Sequence, residues 1–228
     1  VSDAASLKAR ILASTRQIPS PTRTEGRRVV AIATAISVAA GVAALQALGG
    51  LAHSRDRPLS LTFRLAVGWV LASAGLTLVV RKEANPFVRS PDVLGALSVA
   101  APLALAGWLV RFHGASPDVP WAEDWICFFA TLGLSLPSFV ALAWARRGCE
   151  PKYPAILGAA LATVTGSWAT VLLLFWCPAT TPDHAVAGHA CAVAFMGLLG
   201  AATGSTVLGV RRGGAKAPAL SSTVGLNG

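Results

Sequence analysis

The chain has 228 residues, of which 54% are hydrophobic and only 13% charged. A soluble globular domain carries about 25% charged residues, so these proportions exclude an ordinary water-soluble fold. The formal charge of +9 would point to nucleic acid in a soluble protein, but here the basic residues flank long apolar blocks, where they report membrane topology, and no direct nucleic-acid contact is expected.

The first 28 residues are polar and basic. Within them, residues 5–17 predict a short helix with Leu7 and Ile11 on one face, four apart, and Lys8, Arg10 and Arg16 elsewhere. Pro19 and Pro21 then end it. The first apolar block, Val29 to Leu51, is too long for the core of a cleavable signal peptide and reads as an uncleaved span. A second span is predicted at about 60–80, with Arg64 near its start, where it can snorkel. Ser90-Pro91-Asp92 supplies a cap, a first-turn proline and an early carboxylate, and introduces a third span at about 93–111. The fourth is predicted at about 125–145. Tyr153-Pro154 opens the fifth, about 154–176, and Cys177-Pro178 closes it. The sixth covers about 185–210. Pro102 and Pro137 lie inside spans three and four, where each removes a backbone donor.

The expected fold is therefore all-α: a polytopic membrane protein with a six-transmembrane-helix bundle over 29–210. An N-terminal tail (1–28) and a flexible C-terminal tail (211–228) flank it. Of the 19 Lys and Arg residues, 15 fall on the side that holds both termini and 4 on the other. The positive-inside rule then makes both tails cytoplasmic. Trp108, Trp121, Trp125 and Trp176 lie near the predicted outer interface, where amphipathic rings are favoured. Trp69 and Trp168 fall deeper and are expected between helices. Gly200 and Gly204 form a GxxxG pattern that allows close backbone approach, read here as packing within the bundle.

No catalytic centre is recognised. A pump or transporter usually places ionisable groups near mid-membrane, and no span has Asp, Glu, Lys or His near its centre. An intramembrane protease would need an activated nucleophile or paired aspartates. Gly166-Ser167 is not within GxSxG and reads as small residues at a helix contact. A small transporter or channel stays as the alternative function. A membrane redox enzyme using the outer thiols is a third class.

The four cysteines are Cys127, Cys149, Cys177 and Cys191, with no CxxC pair. The topology brings Cys127 and Cys177, fifty positions apart, to one depth at the outer ends of spans four and five. Cys149 falls in a cytoplasmic turn, and Cys191 is expected about two turns into span six, buried among alanines. His113, Asp183, His184 and His189 lie on or near the same outer side. Thiolates and imidazoles in one region can bind a soft metal ion, at least transiently. The plainer reading is that cysteine is an ordinary small apolar residue. No cofactor and no metal ligand is assigned.

From Cys127 to about Gly209 the order of motifs is distinctive. It runs Cys127, Leu136-Pro137, Arg146-Arg147-Gly148, Pro154, Gly158, Gly166 and Cys177-Pro178, then Gly197, Gly200 and Gly204 in the sixth span. This pattern, with the basic tail and six spans, resembles the NrsF family of bacterial membrane anti-sigma factors, also called DUF1109 proteins. Two departures are Trp176, where the family often has His, and Gly188-His189, where an aromatic pair is common. The resemblance implies a bacterial inner-membrane protein, with the lipid bilayer and an extracytoplasmic-function sigma factor as partners. It implies release of that factor on an envelope, metal, oxidative or light-linked stress signal. It also brings Cys127 and Cys177 forward as one sensing unit. The tail, through Leu7, Lys8, Arg10, Ile11 and Arg16, is the expected sigma-factor contact, because the other internal segments are short turns.

Overall fold

A chain that crosses lipid must satisfy its backbone donors and acceptors within itself, so helices are the economical solution. The computed structural model describes residues 22–47, 59–82, 91–112, 121–146, 152–177 and 181–208. Among them are six helices and no strand. They are α1 (Arg23–Ala47), α2 (Leu59–Lys82), α3 (Pro91–Arg111), α4 (Trp121–Ala145), α5 (Pro154–Leu174) and α6 (Pro182–Val207). Five of them are long and apolar enough to cross a membrane. The exception by that measure is α2, whose apolar stretch is Ser60–Gly75. At 24 residues and about 1.5 Å per residue, α2 still matches a hydrocarbon core of about 30 Å in length.

The boundaries differ most at α1, which begins at Arg23 rather than near Val29. The helix starts at a cap, not where apolarity starts: the Glu25 N–H donates to Thr22 Oγ1 at 3.2 Å. The tail residues Leu7, Lys8, Arg10, Ile11 and Arg16 lie outside the described residues, as do Cys149 and His113.

The centre of the bundle is α5, which packs against α2, α3, α4 and α6. It is apolar around its whole circumference, as a helix enclosed on all sides must be, and its small residues Gly158, Ala160, Ala162 and Gly166 are all buried. The tightest neighbour is α6. A Cβ on Gly200 would overlap the backbone carbonyl of Gly158, and one on Gly204 would overlap that of Pro154. The GxxxG pattern is thus used inside the bundle. On the periphery, Ile36, Phe63, Leu71, Val99, Phe129 and Leu198 are each at least 60% exposed, which suits a lipid-facing surface and no aqueous one.

Hydroxyl groups in such a bundle need partners, and several find them on their own helix. Ser37, Thr77, Ser98, Thr131, Thr170 and Thr203 each donate to the carbonyl four residues earlier. Trp69 is buried as expected, its indole N–H donating to the Ser167 carbonyl at 3.0 Å. Trp168 is instead 38% exposed, and its N–H reaches Thr77 Oγ1 at 2.9 Å. Cys191 corrects a further expectation, since its position on α6 turns it outward and leaves it exposed.

The peripheral helix α1 lies along α4. A Cβ on Gly41 would overlap the Leu134 side chain, and one on Gly26 would stand 3.3 Å from the Ala145 Cβ. The helix that follows the tail is therefore seated along the length of α4.

Candidate functional site

Three elements meet at one end of the bundle: the start of α4, the segment just after α5, and the start of α6. Two turns into α4, Cys127 is 3% exposed, and Cys177, three residues past the end of α5, is 1% exposed. The Cys127 thiol donates to Cys177 Sγ at 3.6 Å. Leu173 and Trp176 cover the pair. Trp176 is buried here rather than placed at a lipid interface.

The structure adds two histidines that the sequence left unassigned. His184 Nε2 lies 3.0 Å from Cys177 Sγ. Its other nitrogen, Nδ1, meets Asp124 Oδ1 at 2.6 Å. His189 is 2% exposed, and its ring centroid is 5.3 Å from that of His184. A regular α-helix could not place these two rings together, because residues five apart diverge by about 140°. Here Ala185–Ala190 forms a π-helical turn, in which i and i+5 are one turn apart. Gly188 lets the turn come close: a Cβ there would lie 3.2 Å from Cys127 Cβ and 3.3 Å from the His184 ring.

Donor atoms of Cys127, Cys177, His184 and His189 lie within 4.8 Å of one another, and all four residues are buried. Asp124 stands behind His184 with its side chain 26% exposed. The Cys127 thiol holds the Cys177 thiol well below its ordinary value; burial opposes this, and His184 adds to the lowering. Thiol, imidazole and carboxylate in this order also make an activated nucleophile. Cys177, however, is sealed from solvent and shared with a second thiol, so the group is a closed four-donor cluster.

Cys127 and Cys177 are thus brought together, as their common depth suggested. Asp183 is exposed, away from them. Sequence reasoning missed Asp124, although its spacing of three from Cys127 puts both on one helix face.

No curated protein and no solved structure matches the chain. The sequence profile of the NrsF family, described as "Negative regulator of sigma F", matches residues 12–209. That range covers all six helices and every residue of the cluster, and the family is one of regulators rather than enzymes. The chain is a helical membrane protein that belongs to the NrsF family of negative regulators of sigma F.

Proposed function

We propose that this chain holds an extracytoplasmic-function sigma factor at the bacterial inner membrane and releases it when an envelope signal changes the state of the Cys127–Cys177 pair. An envelope, metal, oxidative or light-linked stress supplies that signal. The observation that carries the reading of restraint is the family match over residues 12–209. The thiol pair supports a sensing end, since thiols 3.6 Å apart can exchange between reduced, oxidised and metal-bound forms.

In this reading all six helices cross the bilayer and both termini are cytoplasmic, following the distribution of Lys and Arg. Reporter fusions after Arg57, Val119 and Thr181 should read as periplasmic. Those after Asn85, Gly148 and Lys216 should read as cytoplasmic. An odd number of crossings would separate the thiol pair from the outer face and end the scheme.

The tail is the output. It precedes α1, α1 lies along α4, and α4 carries Cys127 near its far end. A shift of α4 caused at the cluster therefore bears directly on the helix that emerges from the tail. Leu7 and Ile11 form the apolar contact with the sigma factor, and Lys8, Arg10 and Arg16 meet acidic groups around it. The test is capture of the cognate sigma factor by the full chain. Leu7→Asp combined with Ile11→Asp should abolish capture and leave target genes on, with membrane levels unchanged. Unchanged capture would move the contact elsewhere.

A further inference from the structure

The geometry points to a tetrahedral metal centre with Cys127, Cys177, His184 and His189 as ligands and Asp124 as the group that orients His184. It deepens the sensing reading above and rests on it only for the consequence, not for the chemistry.

Four observations converge. The donor atoms of two thiols and two imidazoles lie within 4.8 Å of one another, so a contraction of about 1 Å brings them to the edges of about 3.3–3.8 Å that a filled tetrahedron requires. A tetrahedral ion with metal–sulfur bonds of about 2.3 Å holds its two sulfurs about 3.8 Å apart, close to the 3.6 Å found here. His184 gives its Nδ1 to Asp124 at 2.6 Å, which leaves Nε2, the nitrogen facing Cys177, as the lone-pair donor. This carboxylate–histidine pairing is the usual outer support of a metal ligand. Finally, His189 is 2% exposed, yet its Nδ1 has no hydrogen-bond partner among the described residues. An imidazole enclosed in this way is costly without a further partner.

The donor set selects the ion. Two sulfurs and two nitrogens in a closed tetrahedron suit a thiophilic d10 cation such as zinc or cadmium, and they exclude magnesium and calcium, which take oxygen. On binding, the ion sheds its water. Two S–H bonds break, two metal–sulfur and two metal–nitrogen bonds form, and two protons leave. Two thiolates neutralise a divalent ion, so the four-ligand core is uncharged, which suits its burial, and the remaining negative charge sits on the partly exposed Asp124. The filled site ties the start of α4, the end of α5 and the π-helical turn of α6 together. Metal entry or loss is then the event that moves α4.

The experiment uses the full chain, reduced, in nanodiscs, titrated with cobalt as a spectroscopic stand-in and then with zinc. About one equivalent of cobalt should bind with the absorption of a tetrahedral site containing sulfur, and zinc should displace it. After unfolding in denaturant, zinc should also slow the alkylation of Cys127 and Cys177 relative to the metal-free chain. His189→Ala should lose the tetrahedral signal, and Asp124→Asn should weaken zinc by about 10- to 100-fold. Asn keeps the shape of Asp, so this variant tests the centre even if a histidine variant fails to fold. Cys191→Ser should bind as the parent does. Absence of stoichiometric cobalt or zinc, or unchanged affinity in His189→Ala and Asp124→Asn, overturns the centre. A Cys127–Cys177 disulfide in a chain that takes no metal would also overturn it, while leaving thiol sensing in place. Metal binding in a chain that never captures a sigma factor would sink the proposed function and keep the centre.

Discussion

Replacing Gly200 by alanine should destabilise the bundle by about 3 kcal/mol or more, a large effect for one methyl group. The added Cβ has no space to enter, because its nearest neighbour is the Gly158 backbone carbonyl on α5 and not the end of a mobile side chain. Overpacking that side chains can absorb costs about 1–3 kcal/mol; here two helix backbones must separate instead. The loss should fall on the α5–α6 contact, which holds the central helix to the one carrying His184 and His189. Gly133 provides the control. It is also inside a helix, but a Cβ there meets nothing within 4 Å, so Gly133→Ala should be neutral or stabilising by up to about 1 kcal/mol. Thermal unfolding of the two variants in the same detergent separates them. Equal melting temperatures would show that α5 and α6 are not packed backbone to backbone.

Much of this fold was legible because lipid leaves a chain few choices. Apolar blocks of about 20 residues between basic loops can hardly be anything but helices, and each predicted span has its helix in the structure. What the blocks do not specify is where helices begin, since polar residues extend a helix as readily as apolar ones. Hence α1 starts six residues early, at its Thr22 cap. Burial was less legible still. Cys191 and Trp176 exchanged their expected places, because hydropathy does not tell which side of a wholly apolar helix faces a neighbour.

At the site, Cys127 and Cys177 were visible as a pair through topology alone. The histidines were placed on the same outer side, but that their two rings meet was not legible, for a definite reason. A spacing of five reads as two different faces of an α-helix, and only the π-helical turn at Ala185–Ala190 reverses that. Asp124, beside a polar loop, reads as a solvated charge; its role appears only when His184, sixty positions later, arrives at 2.6 Å.

The central claim is that the thiol pair at one end of the bundle controls what the other end holds. Cys127→Ser with Cys177→Ser tests it with little risk to the fold. Serine is close to cysteine in size, and hydroxyls in this bundle already bond back to carbonyls of their own helix. Coupling between two sites of one protein commonly amounts to about 5- to 150-fold in affinity. The double variant should lose all of it, since neither oxidation nor metal binding can then join the ends of α4 and α5. The direct measurement is the partition of the cognate sigma factor between membrane and soluble fractions, before and after each effective stimulus. With the parent chain the factor should leave the membrane on stimulation. With the double variant it should stay at its unstimulated distribution under every stimulus. If it leaves the variant's membranes as it leaves the parent's, the cysteines serve only packing and the control lies elsewhere.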